Sequence, residues 1–62
     1  MLEQDYNARR AKLVGEFLRL KKLRLYRIAA ARVRQIAKLD NDYDGTAIEK
    51  TYAIFDYANL MK

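Results

Sequence analysis

The chain has 62 residues, 13 of them Lys or Arg and 8 Asp or Glu, for a net charge of +5, and it contains no His, Cys, Trp or Pro. A domain this short buries only about 60% of the surface its unfolded chain exposes, and it has neither disulfides nor the usual metal ligands to compensate. Those absences, with that of Ser, rule out the usual nucleophile–base pairs, so we expect no enzymatic activity, no cofactor and no small-molecule substrate.

What remains for stabilisation is a second copy or a protein partner. The first residues, Met1-Leu2-Glu3-Gln4-Asp5, are acidic, and no apolar run approaches the roughly 18 residues of a membrane span. We therefore expect a soluble, intracellular protein without a membrane partner, in a compartment the sequence does not specify. Ala, Leu, Arg and Lys dominate, so the expected fold is all-α, a single helical-hairpin domain over residues 1–62.

In chain order, the spacing first predicts one long helix over about 8–39, with Asp5 and Asn7 as candidate caps. Gly15 weakens it by about 1 kcal/mol relative to Ala. A break near Gly15 or Lys21-Lys22, giving a small three-helix bundle, is the competing reading, but no turn residues accompany either place. The segment Asp40-Asn41-Asp42-Tyr43-Asp44-Gly45 is the expected loop, because its side chains compete with the backbone for hydrogen bonds and Gly45 takes positive φ freely. Thr46-Ala47-Ile48-Glu49 then fits a capping box that opens a second helix over about 47–61.

At 1.5 Å per residue these helices measure about 48 and 22 Å, so the second covers only about half of the first. Leu25, Ile28, Ala29, Val33, Ile36 and Leu39 share one side and form the expected hairpin core. The second helix offers two stripes, Ile48, Tyr52 and Phe55 on one side and Ile54, Ala58 and Met61 on another. Leu13, Val14, Phe17, Leu18 and Leu20 are left as an uncovered face. Burying such side chains is worth about 1.5–3 kcal/mol each, so this face is expected to meet a second copy or a protein partner, completing a bundle.

Charge is split along the chain. Residues 1–39 hold eleven Lys or Arg against Glu3, Asp5 and Glu16, a net of +8, and residues 40–62 hold five acids against Lys50 and Lys62, a net of −3. On the long helix, Arg9, Arg24, Arg27, Arg34 and Lys38, flanked by Lys12 and Arg19, form a cationic stripe. Crowding Arg19, Lys21, Lys22, Arg24 and Arg27 into nine residues is self-repulsive, which suits an anionic partner.

Three short segments resemble known families. Asp40 to Gly45 resembles the first half of an EF-hand loop, with acids at its first, third and fifth positions and Gly at its sixth. The twelfth position, which supplies a bidentate carboxylate in that family, is Thr51 here, so we expect a polar turn and no metal. Leu25-Tyr26-Arg27 is the tripeptide that names the LYR family of small mitochondrial three-helix adaptors, and this resemblance implies an adaptor role. Leu23 to Ile28, followed by Thr46, Glu49 and Tyr52, is similar to the helical domain of GINS replication subunits.

Two functional expectations follow. In the first, a dimeric helical bundle binds the phosphates of DNA or RNA through Arg19, Lys21, Lys22, Arg24, Arg27 and Arg34. In the second, the chain is a structural or adaptor subunit docking through Leu13, Val14, Phe17, Leu18 and Leu20.

Overall fold

The computed structural model describes residues 1–62 and contains four helices, α1 (Glu3–Lys22), α2 (Tyr26–Asp44), α3 (Ile48–Ile54) and α4 (Tyr57–Leu60), with no strand. The all-α hairpin is present, with α1 and α2 packed antiparallel, but its two arms are not the predicted ones. The stretch expected to be one helix over 8–39 is itself the hairpin, and the shorter α3 and α4 pack onto α2.

The reversal lies just beyond Lys21-Lys22. The Leu25 N–H donates to the Leu20 carbonyl at 2.9 Å and the Arg24 N–H to the Lys21 carbonyl at 3.0 Å, with Arg24 left-handed at φ 61°. That is the hydrogen-bond pattern of a Schellman helix stop, in which Leu20 and Leu25 occupy the paired apolar positions. Glycine normally holds the left-handed position, and an L-residue there costs about 1–2 kcal/mol. With Arg in that place the stop carries no glycine signal. Gly15, the other suspected weak point, sits inside an unbroken α1.

The expected loop over 40–45 is also displaced. Helix α2 continues through Asp44, and Gly45, at φ 75°, ends it by donating its N–H to the Asn41 carbonyl at 2.9 Å. The capping box does not form. Instead both the N–H and the hydroxyl of Thr46 donate to Asp44 Oδ1, and Ala47 precedes α3 without a side-chain cap. Nor do Asp5 and Asn7 act as caps, because α1 begins at Glu3, inside which both lie. The predicted second helix over 47–61 is broken at Asp56, which is left-handed at φ 55°. An Asp tolerates that conformation better than most residues because its short side chain bonds locally, here accepting from Asn59 Nδ2.

Phe17, Ala29, Ala30, Val33 and Leu60 form the core, with Leu20, Tyr52, Phe55 and Tyr57 packed around it and Ile36 and Ala37 buried alongside. Ala29, Ala30 and Ala37 let the neighbouring helices approach α2 closely. Ala29, Val33 and Ile36 are core residues as expected, whereas Leu25 (45% exposed) and Ile28 (47%) are not, because the stop at Arg24 detaches them from the buried row. Leu39 is half-buried. Of the two expected stripes after the loop, Tyr52 and Phe55 are half-buried while Ile48, Ile54, Ala58 and Met61 are exposed; Thr51 and Leu60 are buried in their place.

The supposed uncovered face is largely used within the chain. Phe17 is in the core and meets Phe55 edge-on at 5.2 Å, Leu20 packs beside it, and Leu13 and Val14 are half-buried. Only Leu18, at 57% exposed, stands in the open, so a second copy is not required to cover this face.

Asp40 joins three helices at the opposite end from the Arg24 reversal. Its Oδ1 accepts from the Tyr6 hydroxyl at 2.6 Å and Arg10 Nε at 3.0 Å, and its Oδ2 accepts from the Thr51 hydroxyl at 3.0 Å. Tyr6 stacks on Tyr43 with centroids 4.0 Å apart, and Arg10 lies 5.7 Å over the Phe55 ring. The first position of the EF-hand-like segment is therefore a buried, fully engaged carboxylate inside a helix.

Candidate nucleic-acid interface

The reversal at Arg24 changes the shape of the positive surface. On one continuous helix the cations would form a stripe; on the hairpin they gather at one end. Arg19, Lys21 and Lys22 occupy the last turn of α1, Arg24 the turn itself and Arg27 the first turn of α2. Arg34 stands two turns further along α2, where it shares a shallow pocket with Arg27 and Lys62. All seven are exposed.

The other stripe residues, Arg9, Lys12 and Lys38, lie elsewhere. They line a groove between α1 and α2 with Arg32, whose Nε is 2.8 Å from Glu16 Oε2, and with Asp42. That groove carries both signs of charge. The six residues expected to contact phosphate are thus five at the tip and one beside it, and Lys62 joins them, a residue the linear stripe left out because it follows the acidic segment.

Two tip cations hold local contacts. Lys21 Nζ sits 5.9 Å over the Phe17 ring, and Arg34 donates to the Tyr57 hydroxyl at 2.8 Å with its guanidinium 6.0 Å from that ring's centroid. The remainder have no anionic partner within salt-bridge distance. Among the acids, Asp56 borders a small pocket with Lys21 and Tyr26.

The opposite end gathers the acids. Glu3 and Asp5 are in the first turn of α1, Asp42 and Asp44 in the last turn of α2 and Glu49 in the first turn of α3. The Cα trace measures 33 × 20 × 13 Å.

This arrangement suits α1 and opposes α2. A helix favours acids near its N-terminus and cations near its C-terminus, each by about 0.3–1 kcal/mol. Helix α1 follows that rule. Helix α2 has no acid and no side-chain cap at its start, where Arg24 and Arg27 lie, and no cation in its last turn, where Asp42 and Asp44 lie. The dipole of α2 therefore does not account for the placement of Arg24 and Arg27, although that of α1, whose C-cap Leu23 precedes Arg24, favours a cation there.

Arg24 can be separated into two roles. Replacing it by Gly relieves the left-handed strain and is expected to raise stability by about 1 kcal/mol in a urea titration, while weakening anion binding at the tip.

Leu18 and Val14, from the expected partner interface, lie on the outer side of α1 with Ala11 and Gly15, lining a shallow open depression. Leu13 lines the mixed-charge groove, and Phe17 and Leu20 face inward, so the five residues do not form one surface. No helix is long and apolar enough to cross a membrane. No family model, curated protein or solved structure matches this chain.

Proposed function

We propose that the chain is a non-enzymatic nucleic-acid-binding protein whose basic tip holds the phosphate backbone. The observation that carries this reading is the cluster of exposed cations at one end of the hairpin, which at the start of α2 opposes that helix's own dipole and suits a partner of negative charge. Arg19, Lys22, Arg24 and Arg27 provide the contacts, with Arg34 and Lys62 on the flank. Contacts of this kind give affinity and register without reading sequence.

Binding should be steeply salt-dependent. Neutralising about five phosphates releases their counterions, so log K plotted against log salt is expected to fall with a slope of about −4 to −5 in an anisotropy titration between roughly 50 and 200 mM salt. A flat salt response, or no binding at the lowest salt, would sink the reading.

A second reading rests on the outer side of α1, where Leu18 is 57% exposed beside Val14, Ala11 and Gly15. In that reading the chain is an adaptor or structural subunit that docks by this strip. Light scattering during size exclusion distinguishes the two: a monomer that binds oligonucleotide on its own supports the first, and a species that becomes well folded only with a protein partner supports the second.

A further inference from the structure

We infer that the hollow beside the basic tip, walled by Tyr26 and Phe55, takes one unstacked guanine from an unpaired stretch of the bound strand. This rests on the nucleic-acid reading above and adds a base to the phosphate contacts.

The hollow has a volume of about 220 Å³ and is lined by Lys21, Tyr26, Phe55, Asp56, Asn59 and Leu60. That is smaller than the roughly 300–1,000 Å³ of sites for drug-sized ligands, and enough for one planar base. The left-handed break at Asp56 shapes it by ending α3 at Ile54 and starting α4 at Tyr57. Leu60 also borders the hollow of Arg27, Arg34 and Lys62, and Tyr26 borders another with Arg24 and Arg27. A base in the first hollow therefore has cations in both adjoining ones for its flanking phosphates.

The aromatic side chains single out one free ring. Tyr6 stacks on Tyr43, Tyr52 on Tyr57, and Phe17 meets Phe55 edge-on. Tyr26 alone of the seven has no ring partner, and it is 44% exposed. Phosphates need no ring, whereas unpaired bases are held by stacking on one.

Asp56 names the base. Its charge repels phosphate and it makes no ion pair, so a site for phosphates alone gains nothing from it. Its Oδ2 accepts from Asn59 Nδ2, which leaves Oδ1 and the second Asn59 N–H free. Guanine alone places two adjacent N–H donors, at N1 and N2, beside a carbonyl, O6, on its pairing edge. The Asp56 carboxylate accepts from both donors and the Asn59 amide donates to O6. Adenine and cytosine would set an acceptor nitrogen against the carboxylate, and thymine offers one N–H between two carbonyls.

The test is an anisotropy titration of the whole chain at about 100 mM salt with thymine strands of about 12 nucleotides carrying one central guanine, inosine or adenine, and with a duplex of the same length. The guanine strand is expected to bind about tenfold more tightly than the adenine strand, and the inosine strand, which lacks the N2 amino group, falls between them. Tyr26→Leu should weaken the guanine strand by about tenfold and leave the duplex, whose bases are paired, unchanged. Asp56→Asn should bring the guanine and adenine strands within about twofold of each other, while an all-thymine strand binds as well as before or better. Equal binding of the three strands, an undiminished guanine preference in Asp56→Asn, or equal loss of strand and duplex in Tyr26→Leu overturns this inference and leaves the nucleic-acid reading standing. Failure to bind any strand or the duplex overturns both.

Discussion

Asp40→Ala is expected to destabilise the chain by about 3 kcal/mol, most of the 3–5 kcal/mol that a single core of this size supplies, and to leave it largely unfolded in a urea titration followed by circular dichroism. The reason is the number of groups that one carboxylate satisfies. Its side chain is 6% exposed and takes hydrogen bonds from Tyr6 and Arg10 on α1 and from Thr51 on α3, so its loss strands a buried hydroxyl and loosens both neighbouring helices. Arg10, at 31% exposed, retains contact with water, which limits the share owed to the ion pair itself.

The same cluster sets two pH limits. Burial alone would raise the Asp40 carboxyl, but hydrogen bonds from Arg10, Tyr6 and Thr51 outweigh it and hold the group below the usual carboxylate range. Its contribution is therefore present above the unfolded carboxylate value of about 3.9 and is lost as pH falls through the lower folded value. The Tyr6 hydroxyl moves the other way. Burial, then its hydrogen bond to Asp40 and that residue's charge, raise it above its ordinary value of 10.0. Its contribution is present below that value and is lost as pH rises through the folded one. Tyr6→Phe should flatten the alkaline limb of a stability profile and also reduce the acid limb, because it removes one of the hydrogen bonds that hold Asp40 low.

The second large effect is expected at the tip. Arg24→Glu combined with Arg27→Glu should weaken oligonucleotide binding by about 100-fold at low salt, since it removes two phosphate contacts and sets like charge against the backbone. Stability should hold or rise slightly, because acids suit the start of α2. Glu49→Arg, at the far end, should leave affinity almost unchanged. Equal weakening by both substitutions would mean that net charge alone governs binding.

Composition and periodicity made the helical class legible, and Ala29, Val33 and Ile36 could be identified as core residues from their spacing. The stop at Arg24 could not be read, because the left-handed position that glycine normally marks is filled by an arginine. That one residue accounts for most of the other differences: it folds Phe17 and Leu20 inward, exposes Leu25 and Ile28, and turns a stripe of cations into a tip. Asp40 was hidden for a related reason. Among Asn41, Asp42 and Asp44 it reads as one more loop acid, and its partners Tyr6 and Arg10 lie more than 29 residues away in sequence. The cationic residues themselves were legible from the charge split, whereas the inclusion of Lys62 and the exclusion of Arg9, Lys12 and Lys38 depend on the hairpin.

A titration of isotope-labelled chain with duplex DNA, followed by amide nitrogen–proton correlation spectra, tests the central claim most directly. The account predicts shifts confined to residues 19–27, Arg34 and the last residues of the chain near Lys62, with the Asp40 end unmoved. Shifts centred on the Asp40 to Glu49 end, shifts spread evenly over the chain, or none at all would contradict it.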